Sequence, residues 1–141
     1  MTVLDHIEVA VSDAETSRHF YERALKPLGI CRIITIEPSR TRTGGTRHGF
    51  GREGYPSLWV HDNEEPNVGI HIAFAAHSRD LVDAFYKAAL QAGGTDNGPP
   101  GVRNQYHAHY YAAYVLDPDG FNIEVVCQST QDTALEDPLN A

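Results

Sequence analysis

His6 and His71 stand at the same place in two copies of one segment. Residues 6–25 and 71–90, offset by 65, agree at His6/His71, Ile7/Ile72, Ala10/Ala75, Phe20/Phe85, Tyr21/Tyr86, Ala24/Ala89 and Leu25/Leu90, seven identities in twenty gapless positions. Most are core-type residues, which need only a common packing plan. A histidine carries two polar ring nitrogens that must find partners. Glu124 is the third residue of this kind. It lies in Phe121-Asn122-Ile123-Glu124-Val125-Val126, an apolar strand pattern, where a carboxylate is almost never fully buried unless paired. It must face solvent, meet a cation or bind a metal. Any one of the three, taken alone, is more often a core or surface residue; their matched placement in a repeat is what points to chemistry. Two imidazoles and a carboxylate suit a divalent Fe, Mn, Zn, Ni or Co ion, and on an octahedral ion they leave about three positions for other ligands. Such an ion acts as a Lewis acid.

The elements that must position these residues follow from periodicity. Val3 to Val11 alternates, so it is read as a strand with an apolar odd face against the helices and an even face carrying His6 and Glu8. Ser12-Asp13-Ala14-Glu15 has capping-box spacing, and Phe20, Tyr21, Ala24 and Leu25 continue at helical spacing until Pro27 and Gly29. Ile30 to Glu37 is β-branched and extended. Arg47 to Arg52 reads as a glycine-broken strand and Ser57 to His61 as a firmer one, before the linker at 62–67. The plan then repeats. Val68 to Ala75 is a strand, Ser78 caps a helix with the stripe Leu81, Val82, Phe85, Tyr86, Ala89 and Leu90, and Gly93 ends it. Asp96 to Asn104 is a Pro/Gly loop with at most a short strand. His109 to Leu116 and Phe121 to Cys127 form a hairpin around Asp117-Pro118-Asp119-Gly120. A type I turn with Gly120 in the left-handed bulge position sets Tyr114 across from Glu124, with Ala112 and Tyr110 on the same face. A plain two-residue turn would put Ala113 there instead.

Bulk properties bound the rest. The 141 residues carry a formal charge of −8 and no basic run; only Arg40, Arg42 and Arg47 group loosely. Nucleic acid and anionic membranes are therefore poor partners. No apolar run reaches the roughly 18 residues of a membrane span. The N-terminus has no signal-like stretch, and a cytoplasmic location is expected. Cys31 and Cys127 form no Cys-x-x-Cys pair, and two buried free thiols are expected. His19, His48 and His77 are expected at the surface. Units of roughly 60 residues are marginal alone, so the halves, or two chains, should pack together, and a homodimer is expected. The modules run 1–66 and 67–128, followed by an acidic tail at 129–141.

The duplicated βαβββ plan, with His6 and His71 on each first strand and Glu124 after Asp117-Pro118-Asp119-Gly120, resembles the vicinal oxygen chelate superfamily over residues 3–127. That group includes glyoxalase I, bleomycin and fosfomycin resistance proteins, and extradiol ring-cleaving dioxygenases. The resemblance implies an α+β fold of two tandem βαβββ modules, their curved mixed sheets around a metal cavity and their helices outside. It also implies a His6/His71/Glu124 metal site for a small substrate with vicinal oxygens. Glyoxalase I-like members carry a fourth ligand at the repeat mate of Glu124, position 59, which here is Trp59. A three-ligand site is thus implied. Trp59 is either core or an aromatic wall of the other cavity, and Glu8, Tyr110 and Ala112 are further cavity candidates. Extradiol members have an active-site tyrosine ten residues before the glutamate, which Tyr114 matches; fosfomycin-modifying members share that spacing. The run from His107 departs from the extradiol signature at Gln105 and Ala113. His61 loosely matches an extradiol second-sphere histidine, so it is either a catalytic acid/base or a solvated loop-edge residue. The leading expectation is an extradiol-type dioxygenase. A glyoxalase-like lyase or isomerase and a metal-free, bleomycin-resistance-type drug-binding protein are the alternatives. A fosfomycin-type transferase is weaker, because its serine-rich, lysine-bearing loop is missing between Gly93 and Tyr110.

Overall fold

The computed structural model describes residues 3–41 and 44–130. Arg42 and the tail from residue 131 lie outside the described residues. The elements are β1 (Ile7–Ala10), α1 (Ala14–Ala24), β2 (Cys31–Ile36), β3 (Arg47–Arg52), β4 (Tyr55–His61), β5 (His71–Ala75), α2 (Arg79–Gln91), β6 (Thr95–Val102), β7 (Tyr111–Leu116) and β8 (Asn122–Cys127). They form two four-stranded mixed sheets, ordered β1-β4-β3-β2 and β5-β8-β7-β6. Each is a βαβββ module.

The repeat holds at the level of backbone pairing. β1 runs parallel to β4 with Ile7 beside Leu58 and Glu8 beside Trp59. β5 runs parallel to β8 with Ile72 beside Ile123 and Ala73 beside Glu124. Adding 65 to the first set of numbers gives the second. The β3–β4 pair Gly49/Trp59 likewise maps onto the β7–β8 pair Tyr114/Glu124.

Helical periodicity buries Ser17, Phe20, Tyr21 and Ala24 of α1 and Val82, Phe85 and Ala89 of α2. These helices share one core with Val9, Val11, Phe50, Leu58 and Val60 of the first sheet and Ala113, Val115, Ile123 and Val125 of the second. Burying a side chain such as Phe20 or Phe85 contributes about 1.5–3 kcal/mol. The strand faces opposite this core carry Glu8 and Trp59 in one module and Glu124 and Tyr114 in the other. The modules are also tied by polar bonds. Tyr21 donates its hydroxyl to Asp117 Oδ2 at 2.5 Å, and Asp117 Oδ1 accepts the amides of Asp119 at 2.8 Å and Phe121 at 2.9 Å.

Several expectations are corrected. β1 is shorter than the alternation predicts, so His6 stands one residue ahead of the strand. Ladder pairing with β4 begins at Ile7–Leu58, and before it Asp5 meets Tyr55 through its side chain. Asp13, not Ser12, caps α1: its carboxylate accepts the Thr16 amide at 2.9 Å and the Thr16 hydroxyl at 2.6 Å. The Pro/Gly segment after α2 is an eight-residue strand, β6. It lies at a sheet edge, where proline costs no ladder bond on its open side. Cys31 is exposed, whereas Cys127 is buried; both are free. His48 is buried, 3% exposed, and its Nδ1 bonds Thr35 Oγ1 at 2.8 Å.

Candidate metal centre

Glu124 is 2% exposed on the open face of the second sheet. No Lys or Arg pairs with it among the described residues. Its Oε2 accepts the Tyr110 hydroxyl at 2.5 Å. Its Oε1 lies 3.1 Å from His71 Nε2. The other ring nitrogen of His71, Nδ1, meets the Asn122 carbonyl at 3.0 Å. A carbonyl oxygen and a carboxylate both only accept, so a neutral ring can donate to Asn122 or to Glu124 but not to both. With the proton on Nδ1, Nε2 turns a lone pair toward the carboxylate. Two lone pairs 3.1 Å apart need a second ring proton or a cation.

His6 is prepared in the same way. Its Nδ1 donates to Asp5 Oδ1 at 2.7 Å, leaving Nε2 unprotonated in the neutral ring. Asp5 also accepts from the Tyr55 hydroxyl. These bonds, Tyr55 first and His6 second, hold the Asp5 carboxyl below its ordinary pKa. A histidine with one nitrogen given to a carboxylate or carbonyl has its ring orientation and tautomer fixed for coordination through the other. Nitrogen and oxygen donors of this kind fit a divalent transition ion. Among the described residues, however, no three His, Cys, Asp or Glu side chains converge to hold an ion in one chain. His71 and Glu124 come together; His6 does not join them.

Tyr114 sits directly across from Glu124, as the bulged turn requires. Gly120 has φ 85°, and its amide bonds the Asp117 carbonyl at 2.9 Å. The Tyr114 ring stacks with that of His71, centroids 6.4 Å apart at 25°. Burial first, and the Glu124 carboxylate second, raise the Tyr114 hydroxyl pKa. Burial, then the hydrogen bond to Glu124, push Tyr110 well above the phenolic range. Both hydroxyls therefore stay protonated donors at neutral pH. Ala112 is fully buried on β7 opposite Val126.

Three neighbours of this face are missed by pattern reading. Arg103 lies over the Tyr114 ring at 5.3 Å from its centroid. Tyr106 and His107 pack on Tyr110 with ring centroids 4.7 and 5.6 Å away. The run Tyr106-His107-Ala108-His109-Tyr110-Tyr111 is the signal that could have marked the loop.

The matching face of the first sheet is differently furnished. Glu8 is beside Trp59, and Arg47 forms an ion pair with Glu8 while its guanidinium lies 4.9 Å from the Trp59 ring centroid. Trp59 lies over Gly49, where an added Cβ would come within 3.1 Å of the indole and 2.7 Å of Pro56 Cβ. His61 continues the Trp59 face and is 6% exposed, so it is not a solvated loop-edge residue.

Comparison with known proteins agrees with this architecture. The family model described as Glyoxalase/Bleomycin resistance protein/Dioxygenase superfamily matches residues 3–125. A crystal structure of a glyoxalase/bleomycin resistance protein from Albidiferax ferrireducens T118 superposes with TM-score 0.71 at 30% identity, over 91% of this chain and all of that one. A glyoxalase/bleomycin resistance protein/dioxygenase family enzyme from Burkholderia phytofirmans PsJN gives 0.65 at 18% identity, over 91% of this chain and 100% of that one. Glyoxalase I from Zea mays gives 0.66 at 19% identity, over 90% of this chain and 45% of that one. No curated protein matches. No described helix is long and apolar enough to cross a membrane. With two paired βαβββ modules and a family match over nearly its whole length, this chain belongs to the glyoxalase/bleomycin resistance protein/dioxygenase superfamily.

Proposed function

We propose that this protein is a divalent-metal-dependent enzyme acting on a small substrate that presents two neighbouring oxygens. The observation that carries the reading is the buried Glu124 carboxylate facing the Nε2 of His71 at 3.1 Å, with no Lys or Arg on it among the described residues. His71 and Glu124 would hold the ion, and His6 of a second copy would complete the set in a homodimer. The single chain offers only two converging ligands among its described residues. When bound, the ion would act as a Lewis acid that eases ionisation of a chelated hydroxyl.

The chain's own residues account for the rest. With an ion at Nε2, the Asn122 carbonyl and the Asp5 carboxylate would accept the Nδ1–H of His71 and His6 and hold the rings in place. Tyr110 holds one carboxylate oxygen of Glu124 and so limits its rotation. Tyr114, protonated at neutral pH and across from Glu124, can donate a hydrogen bond to a substrate oxygen on this face. Of the reactions open to such a site, we favour extradiol ring cleavage of a catechol. Both atoms of dioxygen enter the ring-opened product, joining the two oxygens of the catechol, so no external reductant is needed. The position across from Glu8 favours this over a four-ligand glyoxalase I site, because Trp59 has no lone pair to offer.

The test is an aerobic assay of Fe(II)-loaded protein with catechol, following oxygen uptake and the ring-opened aldehyde product. Turnover abolished by Glu124→Gln and reduced by Tyr114→Phe is expected. Isomerisation of a hemithioacetal without oxygen uptake would instead favour the glyoxalase reading. Tight drug binding by metal-free protein would favour the resistance-type reading.

A further inference from the structure

Arg103 is a cation without an anion on the face that carries Glu124. The chain has 11 Lys and Arg against 19 Asp and Glu. Arg18, Arg32 and Arg47 each hold a glutamate. Among the described residues Arg103 holds no carboxylate.

The guanidinium is nonetheless fixed in place. Its Nη2 donates to the Pro99 carbonyl at 2.6 Å, and its carbon lies 5.3 Å from the Tyr114 ring centroid. Glycines make the room. Gly98 is the cross-strand partner of Tyr114, and a Cβ there would come 2.9 Å from Tyr114 Cδ2 and 3.2 Å from Arg103 Nη2. A Cβ at Gly101 would come 3.0 Å from Nη1. The backbone of β6 is thus shaped around this side chain. Pro99 takes one of the two Nη2 protons. A guanidinium carries five N–H groups in a planar fork, so one two-donor edge stays complete. Nε and Nη1 bond nothing among the described residues and, unlike Arg47 Nε, are not sealed from solvent.

The face in front of this edge is open. The His71 side chain is 47% exposed, and Tyr106 is 60% exposed. Across the sheet the strands run β5 with His71, β8 with Glu124, β7 with Tyr114, and then β6, which leads into Arg103. The candidate ligands and the guanidinium therefore stand at two ends of one row, with the Tyr114 ring between them. A ligand chelated at one end directs its far substituent toward the other.

We propose that Arg103 is the specificity residue of this site and that its substrate is an acidic catechol, whose carboxylate pairs with the open guanidinium edge while its two hydroxyls chelate the ion at His71 and Glu124. The proposal rests on the metal reading above and adds the substrate's charge to it. A carboxylate matches a guanidinium edge with two parallel, charge-assisted hydrogen bonds. A neutral catechol would leave that edge to water.

The experiment is isothermal titration calorimetry of the full chain loaded with Zn(II), which has no redox chemistry. The ligands are catechol, protocatechuate (a catechol with one ring carboxylate) and the primary amide of protocatechuate. The amide withdraws electrons at least as strongly as the carboxylate, so chelation alone gives the acid no advantage. Protocatechuate should bind at least tenfold tighter than its amide. Arg103→Gln, native by circular dichroism, should bring that ratio below threefold. Arg103→Lys keeps the charge but loses the fork, and should give an intermediate ratio. A ratio near one in the parent, or a tenfold ratio that persists in Arg103→Gln, would overturn the proposal; catechol binding in the same titrations would leave the metal reading standing. No binding of any of the three ligands would overturn the metal reading and the proposal with it.

Discussion

Trp59 and Glu124 occupy one position in the two halves of the chain. Trp59 stands beside Glu8 of β1 and across from Gly49 of β3. Glu124 stands beside Ala73 of β5 and across from Tyr114 of β7. The same backbone niche thus holds an indole over a glycine in one module and a carboxylate under a tyrosine in the other. Duplication supplied two equal scaffolds, and single side chains divided the labour between them. One face carries the His71–Glu124 pair and the other the Arg47–Glu8 ion pair.

The Tyr21–Asp117 bond should matter for stability rather than chemistry. Tyr21 is fully buried on α1, and its hydroxyl meets a carboxylate in the β7–β8 turn at 2.5 Å. Burial raises the Asp117 pKa even with three donors on it. Tyr21→Phe should lower unfolding free energy by about 1.5–3 kcal/mol, the range for a hydrogen bond to a charged group. Urea unfolding monitored by circular dichroism measures this. A change within error of zero would show the bond to be neutral in sum.

His48 should make the fold sensitive to mild acid. Burial, its largest influence, lowers the His48 pKa below the ordinary 6.5; Glu15 and Glu22 oppose this, while Arg18 and Arg32 reinforce it. The neutral ring is favoured in the folded state. Its contribution is therefore complete above the ordinary imidazole value and is lost as pH falls through the lowered one. One proton is linked, so the loss is at most about 1.4 kcal/mol per pH unit. Stability measured between pH 7 and pH 5 should fall less steeply in His48→Gln than in the parent. Parallel slopes would refute the assignment.

A shared site predicts complementation. His6→Ala and Glu124→Gln should each fail to bind metal tightly as homodimers. Unfolded and refolded together, they form hybrids in which one of the two sites is intact. Metal binding should reappear in the mixture. No recovery, with hybrid dimers demonstrated by mass, would mean that His6 is not shared between chains. A monomer by sedimentation at micromolar concentration would contradict the same point.

The architecture was legible because it was written twice. The offset of 65 residues read from His6 and His71 reappears in the strand pairing, and the Asp-Pro-Asp-Gly turn placed Tyr114 opposite Glu124. Local patterns failed where tertiary context decides. Pro99 and Pro100 argue against a strand, yet β6 forms because it lies at an edge. Arg47 to Arg52 holds two glycines, which hid the alternation that buries His48. The Arg47–Glu8 ion pair spans 39 residues and could not be read from spacing. The partners of His6 and His71, Asp5 and the Asn122 carbonyl, emerged only with the fold.

Metal content bears most directly on the central claim, since every proposed step of the chemistry rests on a cation between His71 and Glu124. Protein purified without chelator should be assayed by inductively coupled plasma mass spectrometry, alongside His71→Ala and Glu124→Gln. Close to one divalent transition ion per chain is expected in the parent, and loss of most of it in both variants while circular dichroism stays native. Undiminished metal in both variants, or a parent that binds no added Fe, Mn, Co, Ni or Zn, would contradict it.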